Sequence, residues 1–503
     1  MSKEELLKRY EDWRYQCSAY EMALTIIGID KQTVAPAAGA SYRDPRTAYL
    51  AGTLFEKKND PSYKQVMEDL LKEDIHEELR KELRMELEEL NKTQSIPQDF
   101  YVAHYERCDA SFDAWLKAKK DENYAYFQDH LKAMIEDQKQ LIAYRHRPES
   151  IYEQLLLDNE NEVSIAFYDD FFETIKQELV PLIQKIRQAK QPETQFLEKE
   201  FPISKQKEFM KQVLSYIQYD PTWGYQNESE HPFTTGVCEN DLRTTTKYLL
   251  NQPVSAILST VHECGHAYFE HNVHPKFEGT ILAKNIKMAM HESQSRLLEN
   301  YLGRSRGFWE YLYPKFQETF SDSLKEVSLD AFLWAINKVE PSLVRTEADE
   351  VTYPLHILIR YELEKEIFQG KLAVEDLESA WNQKYQDYLG IQATKPSEGI
   401  LQDVHWSDGG FGYFPTYALG SAISAQIYHT MEQQIDVEEA LKTGHFEIVM
   451  NWLKEHVHQY GASLTFQEIL QKTCHESFNI HYYVDYLKKK YSVLYGLEEE
   501  VSK

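Results

Sequence analysis

The chain has 503 residues, of which 42% are hydrophobic and 13% aromatic, enough for a large packed core and too much for a disordered chain. Its 55 Lys+Arg against 82 Asp+Glu leave a net charge of −27. That balance excludes a nucleic-acid binder, which needs a basic surface to neutralise phosphates, and it excludes docking on anionic lipid.

The opening residues MSKEELLKRYEDW contain no apolar core of a secretory signal. Apolar residues then recur at Leu6, Leu7, Tyr10, Trp13 and Cys17, the three-and-four spacing of a helix. Residues 61–90 are charged and helical in pattern, with a stripe at Val66, Leu70, Leu71 and Ile75. The segment 91–97, ending in Ser95, Ile96 and Pro97, reads as a hinge between an N-terminal helical hairpin and the rest. A further helix is predicted over 171–186, carrying Phe171, Phe172, Ile175, Leu179, Leu182, Ile183 and Ile186, with a kink or break at Pro181. Strand signals are confined to the Thr-rich stretch 233–246, which suits a small hairpin. The uncharged stretch 409–431 holds Pro415 and many polar residues, so it is no membrane span. The five cysteines are odd in number, with no zinc or redox spacing, which points to a reduced, cytoplasmic protein.

Residues 262–266 read His262, Glu263, Cys264, Gly265, His266. On a helix, positions i and i+4 share a face, so two imidazoles converge on one Zn²⁺ at about 2.0–2.1 Å. Glu263 then sits beside the metal as a general base for water. Pro253 offers a helix start, and Val254, Ile257, Leu258, Val261, Gly265, Tyr268 and Phe269 form an apolar face with both histidines along its edge. Asn272 and Pro275 supply the stop. Cys264 points away from the His pair and reads as a small core thiol. A catalytic zinc site needs a third protein ligand and an open position. The helical segment from Ile286 onward offers Glu292, with Glu299 two turns later as the competing ligand. A second His-Glu-Ser, at His475, Glu476 and Ser477, lacks any such continuation and reads as surface.

HECGH followed by HESQSRLLEN resembles the carboxypeptidase Taq family of zinc metallocarboxypeptidases. So do His231-Pro232-Phe233, Asp241-Leu242-Arg243-Thr244-Thr245, Val344-Arg345-Thr346-Glu347-Ala348-Asp349, and the run from Gly399 to Trp406. The resemblance implies a mainly α, zincin-type fold of one catalytic domain (1–503) around a deep substrate groove. It implies a small antiparallel sheet near the active site and an N-terminal helical subregion (1–95) that covers the groove. It implies a homodimer that removes single C-terminal amino acids from peptides with broad preference. It selects Glu292 over Glu299 as third ligand to Zn²⁺, with Co²⁺ a working substitute in some members.

On this reading His262, His266 and Glu292 hold the metal, and Glu263 moves the proton. His405 and Tyr417, ahead of Tyr413, stabilise the oxyanion. The free C-terminal carboxylate calls for an arginine fork: Arg345 first, Arg243 second. His231 shapes the closed end of the groove, while Asp241 and Asp403 orient their neighbours. Two alternatives stay open: an endo-acting oligopeptidase or dipeptidyl carboxypeptidase of the same fold, and an inactive peptide-binding helical scaffold.

Overall fold

A computed structural model describes residues 1–497. Helices dominate. The first four (Lys3–Thr33, Ala40–Lys58, Pro61–Leu70 and Glu77–Gln94) bury Leu6, Tyr10, Trp13, Cys17, Val66, Leu70 and Leu83 in an apolar cluster of their own. The Lys3–Thr33 helix begins on a capping box, in which Ser2 and Glu5 satisfy each other's backbone N–H groups. The chain breaks at Ser95–Pro97 before the helix Gln98–Lys120, where the hinge is predicted.

The remaining helices share one large core. Phe171, Phe172, Ile175, Leu179, Leu182, Ile183 and Ile186 are all buried in it. The helix carrying them spans Ile165–Gln188 and runs on through Pro181 without the expected break. Proline forfeits one backbone hydrogen bond there, but apolar burial on both sides outweighs that local cost.

Three strands, β1 (Gly224–Glu228), β2 (Thr234–Cys238) and β3 (Asp241–Thr246), form a sheet in the order β1-β3-β2. The predicted hairpin is β2–β3, antiparallel, with Thr234 opposite Thr244. The sheet as a whole is mixed rather than antiparallel, because β1 joins β3 in parallel with Gly224 opposite Leu242. That pairing lies between segments too distant in sequence for a hairpin signal to reveal it. The sheet rests on the helix Pro253–His271, and the Lys3–Thr33 helix packs along β2. No helix among the described residues is long and apolar enough to cross a membrane.

Candidate metal centre

The HECGH motif lies on the helix Pro253–His271, with Pro253 in its first turn. Ala256, Ile257, Val261, Cys264 and Phe269 bury one face. The Cys264 thiol is fully buried, which pushes its pKa well up and keeps it inert. His262 and His266 stand one turn apart, their ring centroids 5.0 Å from each other.

The helix Met288–Arg296 crosses directly against the motif helix, and Gly265 makes the crossing possible. A Cβ there would lie 2.6 Å from both the Gln294 carbonyl oxygen and the Ser295 Cα. On the other side, a Cβ at Gly420 would lie 2.9 Å from Glu292 Cβ. Two helices therefore close to backbone distance around Glu292 and fix its side chain. Glu292 Oε2 lies 3.4 Å from His266 Nε2 and 3.8 Å from His262 Nε2. One ligand atom from each of His262, His266 and Glu292 falls within 4.8 Å of the others.

The Nδ1 atoms are both engaged elsewhere. His262 Nδ1 lies 2.9 Å from Glu299 Oε2, and His266 Nδ1 lies 2.5 Å from His291 Nδ1. His291 Nε2 in turn lies 3.1 Å from Glu270 Oε1. Each ring is thus anchored by one nitrogen and presents the other to Glu292, as outer partners of metal-binding histidines do. The donor set of two imidazole nitrogens and one carboxylate suits a divalent ion such as Zn²⁺.

Charge around the cluster is tightly balanced. Burial alone would raise Glu292, but Arg296 and the two histidines hold it well below the usual carboxylate range. Arg296 Nε donates to Glu292 Oε1 at 2.6 Å, and Ser295 Oγ donates to Oε2 at 3.1 Å. Burial also opposes charge on Glu299, yet Arg296, His262 and Arg304 lower it to about 2. His262 is raised, because Glu292 and Glu299 outweigh the burial that would lower it. His266 falls to about 3, through burial first and the neighbouring His291 second. Glu263 is raised by burial against the countering His262 and Thr234. Thr234 Oγ1 on β2 donates to Glu263 Oε2 at 2.5 Å, which ties the sheet to the motif helix.

A second cluster adjoins the first. Arg345 directs Nε and Nη2 at Asp403 Oδ1, at 3.0 and 2.9 Å. The fully buried Arg360 donates to Asp403 Oδ2 through Nε at 2.7 Å. These two cations drive Asp403 far below the usual range despite its burial. Arg345 Nη1 donates to the Tyr353 hydroxyl at 3.3 Å, and the Arg296 guanidinium stacks over the Tyr353 ring at 4.4 Å. Tyr353 therefore connects the arginine cluster to the Glu292 carboxylate.

His405 packs against Phe414, Tyr413 and Tyr417, and its Nδ1 is buried without a hydrogen-bond partner among the described residues. Burial and the two arginines lower His405 to about 4, so the ring is neutral at pH 7. Tyr413 and Tyr417 lie 5.1 Å apart between ring centroids. Tyr413 lies in the loop that leads into the helix Pro415–Glu432, which carries Tyr417 in its first turn. That loop hangs on Glu364, which accepts from Trp406 Nε1 at 2.7 Å and from the Gly412 N–H at 2.9 Å.

Other sequence candidates are spent locally. Arg243 forms a two-pronged pair with Asp241 at 2.8 and 2.9 Å. His231 is exposed, its carbonyl accepting from Ser229. No hydrogen bond among the described residues joins either one to the metal cluster. Glu299 Oε2 meets His262 from the Nδ1 side, whereas Glu292 Oε2 faces the Nε2 atoms of both histidines. His475 and Ser477 are exposed, and Glu476 accepts from the Tyr482 hydroxyl.

Sequence reading missed Thr234, Tyr353, Arg360 and Glu364. None carries a local signal, since each becomes relevant only through a distant partner. His291 and Arg296 were visible inside the quoted HESQSR segment, without their roles.

A helical body with two imidazoles and a glutamate converging beside a second buried glutamate defines a metal-dependent peptidase. The sequence profile described as "Carboxypeptidase Taq (M32) metallopeptidase" matches residues 9–491. Carboxypeptidase 1 of Bacillus subtilis (strain 168) is 38% identical over 494 residues, covering 97% of this chain and 99% of that protein. Thermostable carboxypeptidase 1 of Thermus thermophilus is 33% identical over 482 residues, covering 93% and 94%. The crystal structure of the M32 carboxypeptidase from Deinococcus radiodurans R1 superposes with a TM-score of 0.95 at 31% identity, covering 98% of this chain and 100% of that one. The chain belongs to the carboxypeptidase Taq (M32) family of metallopeptidases, and it is a metallocarboxypeptidase.

Proposed function

We propose that the protein is a Zn²⁺-dependent carboxypeptidase that releases single C-terminal amino acids from peptides with broad side-chain preference. The observation that carries this reading is the convergence of His262, His266 and Glu292 within 4.8 Å, one residue from Glu263 and next to an arginine cluster. When bound, the ion supplies Lewis acidity to water and to the scissile carbonyl.

Glu263 takes the proton from the attacking water and passes it to the leaving amine. Its raised pKa suits a group that must hold a proton between those two moments. His405, neutral and with an unpartnered nitrogen, and Tyr417 donate to the developing oxyanion. Arg345 reads the substrate carboxylate through the part of its fork that faces Tyr353. Arg243 is the weaker candidate, since Asp241 occupies both of its prongs. His231 borders the groove from its exposed turn.

We also infer a homodimer, with Co²⁺ able to replace Zn²⁺, in a reducing cytoplasm. Val102, Tyr105, Phe112 and Leu116 leave an exposed apolar stripe on the helix Gln98–Lys120, a face that suits a second copy. All five cysteines are unpaired, in keeping with that compartment. The whole chain acts as one catalytic domain. Its first 95 residues, of which the Lys3–Thr33 helix packs along β2, form a cover over the groove.

The test is a product assay. A peptide with a free C-terminus should lose one amino acid per turnover, and its C-terminal amide should resist. Release of internal fragments from the same peptide would replace this reading with an oligopeptidase, and release of C-terminal dipeptides with a dipeptidyl carboxypeptidase. Glu263→Gln should keep its metal and lose hydrolysis.

A further inference from the structure

Behind the metal cluster, the chain from Leu297 to Leu302 winds as a π-helix, a form that widens the turn and often marks functional positions. Glu299 faces His262 on one side. Asn300, Tyr301 and Arg304 face the other way, into a pocket of about 640 Å³. That volume lies within the roughly 300–1,000 Å³ of small-molecule sites.

The pocket is built in two halves. One is aromatic: Tyr301, Tyr428 and Tyr486 cluster with ring centroids 4.2 to 6.5 Å apart, and Trp334 forms a further wall. The other is polar, with charges of both signs. Lys489 is exposed at the rim and forms no ion pair among the described residues. Glu432 stands at the Tyr428 hydroxyl. Three wall atoms are buried without hydrogen-bond partners among the described residues: Arg304 Nε, Trp334 Nε1 and Asn337 Oδ1. Asn337 is only 3% exposed, and a buried polar atom left unpaired is costly unless something fills the role.

We infer that this pocket is a second ligand site that binds a free α-amino acid with a large apolar side chain. Its carboxylate is held between Arg304 and Lys489, its ammonium by Glu432 and Asn337 Oδ1, and its side chain lies against the tyrosines and Trp334. Of the other charges in the wall, Arg306 pairs with Asp330 and Lys490 with Glu350, which leaves Lys489 and the carboxylates Glu432 and Glu438 without an ion pair among the described residues. The inventory selects a zwitterion with an apolar body, because an anion alone leaves these carboxylates unmatched and a cation alone leaves Lys489 unmatched. This charge argument stands without the carboxypeptidase reading, which adds only that such molecules are the reaction's own products. Arg304 Nη2 also lies 3.6 Å from Glu299 Oε1, so the occupant shares a guanidinium with the residue that supports His262.

Equilibrium dialysis of the metal-loaded enzyme against L-phenylalanine tests the site. Two molecules per chain are expected, one at the catalytic centre and one in this pocket. Lys489→Glu should weaken one of the two at least tenfold and leave initial-rate kcat/KM for a blocked dipeptide unchanged. Trp334→Ala should weaken the same site. Phenylalaninamide and 3-phenylpropionate each lack one charge and should bind this pocket at least tenfold less well. A single site, or two sites both indifferent to Lys489→Glu, would overturn the assignment. Binding of either analogue as tightly as L-phenylalanine would overturn the zwitterion.

Discussion

Glu299 Oε2 lies 2.9 Å from His262 Nδ1, while Arg296 Nη1 donates to that same Glu299 oxygen at 3.2 Å. A buried carboxylate thus fixes the tautomer and the orientation of the first histidine in the motif. Removing such a partner usually costs 10- to 100-fold in metal affinity. Glu299→Ala should therefore bind Zn²⁺ about 10- to 100-fold more weakly, measured by competition with a calibrated chelator. Glu292→Ala should lose more, because it removes a proposed ligand rather than the support of one. Equal losses in the two variants would mean that the roles of the glutamates are misassigned.

Much of this centre was legible because its spacing is local. His262 and His266 share a helix face whatever the tertiary fold does, and Gly265 lies between them in the same motif. The choice between Glu292 and Glu299 was not legible from spacing, since both lie on the return segment. It depends on how closely the segment approaches, which Gly265 and Gly420 set by packing. The Arg345–Asp403–Arg360 cluster joins positions 43 and 58 residues apart, so no periodicity announces it. β1 was missed for the same reason, and Pro181 does not break its helix because local propensity yields to burial on both sides.

The close crossing at Gly265 gives a stability test. An added methyl would meet backbone atoms at 2.6 Å, and backbone cannot rotate aside. Gly265→Ala should destabilise the protein by about 1–3 kcal/mol, the usual range for overpacking, and reduce metal retention. Gly28 offers the control: it sits inside the Lys3–Thr33 helix, and a methyl added there would have nothing within 4 Å. Gly28→Ala should stabilise by roughly 0.5–1 kcal/mol through helix propensity alone. Denaturant midpoints of the two variants should move in opposite directions.

Glu364 sets a pH dependence. Burial raises it to about 7 from 4.5, against the hydrogen bonds from Trp406, Gly412 and Tyr152 that favour its charge. Its folded pKa lies above its unfolded one, so folding takes up a proton. The protonated group's contribution is fully present below pH 4.5 and is lost as pH rises toward 7. Fully lost, it amounts to on the order of 3 kcal/mol. Glu160, also near 7 through burial, acts in the same direction. His405 acts oppositely across about 4 to 6.5, because its folded pKa is depressed. Glu364→Gln should therefore flatten the fall in unfolding free energy between about pH 5 and 7, read from urea titrations at each pH. An unchanged slope in the variant would show that Glu364 does not take up this proton.

Tyr417 and Tyr413 can be separated by which kinetic constant moves. The Arg345 guanidinium lies over the Tyr417 ring at 5.1 Å, so Tyr417→Phe keeps the stacking surface and removes only the hydroxyl. If that hydroxyl donates to the oxyanion, kcat should fall about 10²- to 10³-fold, the range seen when one such donor is lost, with KM nearly unchanged. Burial raises Tyr413 to about 12, and its ring packs edge-on against Tyr417 with centroids 5.1 Å apart, so Tyr413→Phe disturbs a neighbour of Tyr417 rather than the proposed donor. A smaller fall in kcat is expected there, and the double variant should be little worse than Tyr417→Phe alone, since both act through one hydroxyl. The reverse ranking of the single variants would transfer the donor role to Tyr413. A rise in KM for Tyr417→Phe would place that hydroxyl on the substrate carboxylate beside Arg345.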